Sequence, residues 1–248
     1  MQKENFKKSI YALPNIFTSM NIFCGFYAII SAVDSRFVHA SIAILVGCVF
    51  DVLDGKIARA TKTTSRFGIE YDSLADLVSF GVAPALLMFF WALKPLGRLG
   101  WLGGFLFMIC GALRLARFNI ASTSNTSSND SNNFQGLPIP AAAGMNVSIV
   151  LFFSRLNINP ESYKIFILIM LYILSFLMVS SIKYKSFKNA GLFKSMKFNK
   201  LVAAILIFVS MASEPCIALF GLAFFYIISG PFLFFLSYRK SKKKLKLI

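Results

Sequence analysis

The chain has 248 residues, of which 57% are hydrophobic and 28 are phenylalanine. That composition excludes an ordinary soluble domain, whose apolar share is nearer half even with glycine counted, and it points to an integral membrane protein. A formal net charge of +16 would suit a nucleic-acid partner, but the cations lie in short segments between apolar runs, and no basic, aromatic-interleaved soluble region exists to carry one.

Taken in order, the chain begins with Lys3, Lys7 and Lys8 ahead of an apolar run from Leu13 to Val33, long enough to span a bilayer as a retained first helix. Pro14, Asn15, Thr18 and Asn21 interrupt that run with polar groups that are expensive at membrane depth unless they have partners. Helix-to-helix hydrogen bonding and contact with a ligand both account for them. A turn around Asp34 to Arg36 leads to a second helix expected over about Phe37 to Ala60, and a third is expected over about Tyr71 to Leu93. A fourth follows over about Leu99 to Asn119, ending in Arg114-Leu-Ala-Arg117-Phe-Asn119. Its two arginines stand at i, i+3 on one face, where they either snorkel to the interface or clamp an anion.

From Ala121 to Asn133 the sequence is nearly all Ser, Thr and Asn, which predicts a loop without a core of its own. Gly136-Leu-Pro-Ile-Pro-Ala-Ala-Ala-Gly144 opens a fifth helix, with proline in the first turn and small residues that permit close packing. The sixth helix is expected over about Tyr163 to Ile182. A basic connector from Lys183 to Lys200 precedes a short seventh helix, Leu201 to Met211, and an eighth, Cys216 to Leu236. The four cysteines are scattered singly through apolar runs and read as small core residues, and the single histidine, His39, reads as a solvated loop residue. The fold class is therefore all-α, a polytopic membrane bundle of about eight transmembrane helices. It forms one domain over residues 1–248, with a core at about 10–183, further helices at about 200–238 and a basic tail at 239–248. With eight helices, 21 of the 26 lysines and arginines fall on one side of the membrane and five on the other. The positive-inside rule then makes both termini cytoplasmic, in a cell (inner) membrane.

The chemistry concentrates between Asp51 and Asp76, a stretch holding five of the ten acidic residues. Asp51 and Asp54 (i, i+3) share one face of the second helix, and Asp72 and Asp76 (i, i+4) share one face of the next, so four carboxylates can converge on the cytoplasmic side. Bare carboxylates at short range push one another toward protonation. A divalent cation removes that conflict, and hard ions such as Mg²⁺ or Mn²⁺ prefer oxygen ligands. Gly55 and Ala58 leave backbone open to a ligand, while Lys56, Arg59, Lys62 and Arg66 suit phosphate. The reading is a metal–phosphate site. A cation transporter is the rival from another class, but it predicts acidic residues near mid-bilayer and broken helices recurring in two halves, and neither is present in the sequence.

The pattern Asp51-x2-Asp54-Gly55-x2-Ala58-Arg59-x8-Gly68-x3-Asp72-x3-Asp76 resembles, without departures, the signature of the CDP-alcohol phosphotransferases, membrane enzymes of phospholipid synthesis. The resemblance implies that a CDP-linked lipid donates its phosphatidyl group to a small alcohol and releases CMP, with two Mg²⁺ or Mn²⁺ ions as cofactors. It assigns Asp51, Asp54 and Asp72 as metal ligands. Asp76 becomes the base for the alcohol's proton and a neighbour of the second ion, while Gly55, Ala58, Arg59 and Gly68 border the nucleotide. Asn15 and Thr18, with Asn21, resemble the family's first helix, whose polar residues face the nucleotide. The Arg114–Asn119 and Gly136–Gly144 segments, with the eight-helix layout, resemble the branch of the family whose acceptor is serine. On that resemblance the substrates are CDP-diacylglycerol and L-serine, and Arg114, Arg117 and Asn119 are the candidate serine site. Glycerol 3-phosphate and inositol phosphate are the alternative acceptors, and a homodimer is the oligomer that the resemblance suggests.

Overall fold

The computed structural model describes residues 2–61, 65–123, 133–185 and 198–245. Lys62, most of the Ser/Thr/Asn-rich segment, most of the basic connector and the last three residues of the tail lie outside the described residues. Among the described residues the architecture is all-helical apart from one three-residue ladder. Its helices are α1 (Gln2–Val33), α2 (Phe37–Thr61), α3 (Arg66–Leu96), α4 (Arg98–Thr123), α5 (Ile139–Arg155), α6 (Pro160–Val179, its first turn 3-10), α7 (Phe198–Ser213) and α8 (Pro215–Leu245). Six of them, all but α5 and α7, are long and apolar enough to cross a membrane. Their outward faces expose phenylalanines such as Phe23, Phe26, Phe225 and Phe234, as expected of surfaces that meet lipid rather than water.

Of the eight expected spans, α5 and α7 fall short in length, with 17 and 16 residues. For α5 the physical reason is its position. Ile139, Ala142, Ala143, Met145, Val147 and Ile149 are all buried, so α5 packs among other helices and meets little lipid. The small residues that open it allow that close approach.

α1 and α2 pack along each other as an antiparallel pair joined at Asp34–Arg36. Helix α1 continues through Pro14, starting further toward the N-terminus than the apolar run suggests, and the hydroxyls of Thr18 and Ser19 donate to the carbonyls of Pro14 and Asn15 at 3.1 and 2.8 Å. α3 begins at Arg66, five residues before the expected start. Ser65 caps it: extended backbone (φ −116°, ψ 155°) lets its Oγ accept from the Gly68 N–H at 3.0 Å. Beyond Asp76 the helix passes through two π-helical segments, Leu77–Val82 and Phe89–Leu93. The first precedes Pro84, whose missing N–H cannot sustain regular α-helical bonding there.

The ladder ties three distant parts together. Strand β1 (Asn133–Gln135) runs antiparallel to β2 (Lys183–Lys185), pairing Phe134 with Tyr184. The buried Tyr184 side chain reaches α8, where its hydroxyl donates to the Ile227 carbonyl at 3.3 Å and its ring lies over Gly230 so closely that no Cβ would fit. Burial pushes the Tyr184 phenol up to about 12. Cys24 and Cys110 are buried and Cys48 and Cys216 half-buried, all as free thiols, and His39 is exposed.

Candidate active site

The last turns of α2 and the first turns of α3 meet at one end of the bundle, against the first turns of α1's apolar segment. There Asp51, Asp72 and Asp76, each half-buried, bring carboxylate oxygens within 4.8 Å of one another. At that separation in a partly desolvated setting, three negative charges repel strongly. An all-oxygen donor set of this kind fits a hard divalent cation, and softer ions would want nitrogen or sulfur. The three carboxylates are thus the residues that would hold a metal.

Asp54 takes a different direction. Only 4% exposed, it accepts a hydrogen bond from Thr18 Oγ1 at 3.0 Å and joins the wall of an adjoining cavity of about 170 Å³. Pro14, Asn15 and Thr18 of α1, Asp54, Gly55, Ala58 and Arg59 of α2, and Ser65, Gly68, Ile69 and Asp72 around the start of α3 line that cavity. All six residues expected to border a nucleotide, namely Asn15, Thr18, Gly55, Ala58, Arg59 and Gly68, come together there. The Arg59 guanidinium lies over Gly55, where a Cβ would meet it in ordinary contact at 3.6 Å, so both residues form one wall of the cavity. Asp72 belongs to both the cavity and the carboxylate cluster, which places any ligand of the first beside any ion in the second.

The arginines of α4 do not act as a pair. Arg114 is half-buried and lies within electrostatic range of both Asp76 and Tyr226 of α8. Its Nε has no hydrogen-bond partner among the described residues. Arg117 turns outward and its Nη1 donates to the Val179 carbonyl at 3.1 Å, capping the end of α6. Asn119 donates to Glu70 Oε2 at 3.0 Å and bonds with Ser73 Oγ. Helical spacing placed the two arginines on a common face, but their long side chains part, one inward and one to the helix end.

A family model described as CDP-alcohol phosphatidyltransferase matches residues 11–183. The chain belongs to the CDP-alcohol phosphatidyltransferase family. The matched region runs from α1 through β2, and so contains the carboxylate cluster, the cavity and Arg114. The chain is 41% identical over 223 residues to a CDP-diacylglycerol–serine O-phosphatidyltransferase of Helicobacter pylori, covering 89% of this chain and 90% of that protein. It is 39% identical to the Bacillus subtilis enzyme of the same name (71% and 92%) and 37% identical to an archaetidylserine synthase of Methanothermobacter thermautotrophicus (74% and 73%).

Two features of this transferase site were not apparent from sequence. Asn21, expected to face the nucleotide, instead sits beneath the carboxylates with its Nδ2 donating to Asp76 Oδ1 at 3.5 Å. Tyr226 brings α8, which lies outside the matched region, up to Arg114. A signal for it was available, since a tyrosine after Phe224 and Phe225 carries a hydroxyl that must find a partner at depth.

Proposed function

We propose that this chain transfers the phosphatidyl group of CDP-diacylglycerol to the hydroxyl of L-serine, giving phosphatidylserine and CMP. The observation that carries the reading is the contact between a three-carboxylate cluster and a cavity lined by the family motif, in a chain whose relatives are named for this reaction. Asn15, Thr18, Gly55, Ala58, Arg59 and Gly68 bind the CDP group, with Arg59 directed at its phosphates. Asp51, Asp72 and Asp76 hold divalent ions, Mg²⁺ or Mn²⁺, and Asp54 completes the set from the cavity wall. When bound, two such ions neutralise the pyrophosphate and make CMP a better leaving group. Asp76 accepts the proton of the serine hydroxyl as its oxygen bonds to the lipid-bearing phosphorus and the bond from that phosphorus to the CMP oxygen breaks. Arg114, half-buried near Asp76, pairs with the serine carboxylate, and Arg117 and Asn119 shape that end of α4.

The same reading makes all eight helices membrane-embedded in the cell membrane, with the site and both termini cytoplasmic. It is supported by the 21 of 26 cations that gather at the aspartate side in that arrangement. The test is purified protein with CDP-diacylglycerol, Mg²⁺ or Mn²⁺, and serine, glycerol 3-phosphate or inositol phosphate in separate reactions. CMP release with phosphatidylserine as product, in the serine reaction alone, is the expected result. Release driven by another alcohol instead would overturn the acceptor, and no release with any alcohol would overturn the reaction.

A further inference from the structure

Asn21 is 0% exposed, on the α1 face that meets both α2 and α3, and two hydrogen bonds hold it. Its backbone carbonyl accepts from Ser79 Oγ at 2.8 Å, in the π-helical turn just after Asp76. Its Nδ2 donates to Asp76 Oδ1. Its Oδ1 is buried without a hydrogen-bond partner and points at Gly47 of α2, where a Cβ would stand 3.0 Å away. Burying an amide oxygen unpaired is costly, and turning the amide over would set oxygen against the Asp76 carboxylate. The unfavourable placement of Oδ1 is therefore tied to keeping the donor on Asp76.

We propose that Asn21 is the positioning residue of Asp76: by occupying Oδ1 it fixes the carboxylate so that the second oxygen faces the acceptor alcohol, and Gly47 is small because Asn21 needs the space. This rests on the reading of Asp76 as the base. An outer partner that orients a working carboxylate is typically worth ten- to a hundredfold in activity. A side chain that only filled space would have no such preference for a donor.

The experiment compares Asn21→Ala, Asn21→Asp, Gly47→Ala and Asp76→Asn in purified enzyme, with thermal unfolding to establish the folded fraction. Asn21→Ala should lower kcat by about tenfold or more, with KM for both substrates and Mn²⁺ affinity, read by electron paramagnetic resonance without substrate, changed by less than about threefold. Asn21→Asp, isosteric but setting a second carboxyl group against Asp76 that either repels it or shares a proton with it, should be no better than alanine. Gly47→Ala touches neither Asp76 nor substrate, yet should lower kcat, and should have no further effect in the Asn21→Ala background, where its methyl has room. An Asn21→Ala kcat within twofold of wild type, or a fall in Mn²⁺ affinity that accounts for the lost turnover, overturns the proposal while a dead Asp76→Asn leaves the base reading standing. Near-normal turnover in Asp76→Asn overturns the base reading, and this inference with it. If Asn21→Asp does not fold, the alanine variants and the Gly47 pair still decide the matter.

Discussion

Thr18→Val is the sharpest probe of the cavity, because it deletes one hydroxyl while keeping the shape of a side chain that is 3% exposed. That hydroxyl has a single proton and two acceptors in reach, Asp54 Oδ2 at 3.0 Å and the Pro14 carbonyl at 3.1 Å. A full hydrogen bond to a charged group is worth about 1.5–3 kcal/mol, and a shared proton belongs at the lower end, so the loss should be about 1.5 kcal/mol. If Asp54 works from the cavity wall, that corresponds to about a tenfold weaker grip on the CDP group. The assay is calorimetric titration of CDP into purified enzyme with Mn²⁺, alongside KM for CDP-diacylglycerol. Thr18→Ser retains the hydroxyl and should stay within about twofold of wild type. Wild-type affinity in the valine variant would mean that the proton rests on Pro14 and that Thr18 does not organise Asp54. Equal losses in valine and serine would trace the effect to shape.

Chelation by EDTA should abolish turnover and added Mg²⁺ or Mn²⁺ restore it, with Asp51→Asn or Asp72→Asn raising the metal concentration for half-maximal rate about tenfold or more; chelator-insensitive turnover would refute the metal reading of the cluster. Gly230→Leu forces a side chain into the Tyr184 ring and should destabilise the protein by about 1–3 kcal/mol, seen as a lower Tm in detergent. Tyr184→Ala should then relieve the clash, and a Gly230→Leu variant of unchanged Tm would refute the contact. At the opposite end of the bundle, Arg155 donates Nε and Nη2 to Glu214 at 2.9 and 2.7 Å, and this bonding holds the Glu214 carboxyl below its ordinary range. A lowered carboxyl stabilises the fold above its unfolded pKa and loses that contribution as pH falls through the folded value. Arg155→Gln should therefore lower Tm slightly near neutrality, by about a degree or two for so exposed a pair, with the difference vanishing once the pH is low enough to protonate the carboxyl in both states. A gap that widened in acid would refute the assignment.

Most of the bundle was legible because membrane helices announce themselves by apolar length, and the site because its residues fall within two helices at fixed spacing. Asp72 and Asp76 needed only i, i+4 geometry and Asp51 the adjacent helix end. Asp54 depended on Thr18, thirty-six positions away, which no helical period reports. The α3 start was missed because Ser65 caps it locally, in a Thr/Ser-rich stretch that read as loop. Arg114 and Arg117 share a helical face by spacing but end in different surroundings, because long side chains follow their partners rather than their Cα atoms. The Tyr184–Gly230 contact joins segments with no common pattern, so only the assembled structure brings it out.

The π-helical turn at Leu77–Val82 also gives the third helix a place where its length can change. Such a turn holds one residue more than a regular helix would over the same rise. Taking one residue out of it would close the turn into regular α-helix, so that Ala83 and Leu87, both 0% exposed, would keep their facing relative to Asp72 and Asp76. The same deletion in a regular stretch of the helix would rotate everything beyond it by about 100°. A shortened chain is therefore absorbed at this turn and nowhere in the regular turns on either side.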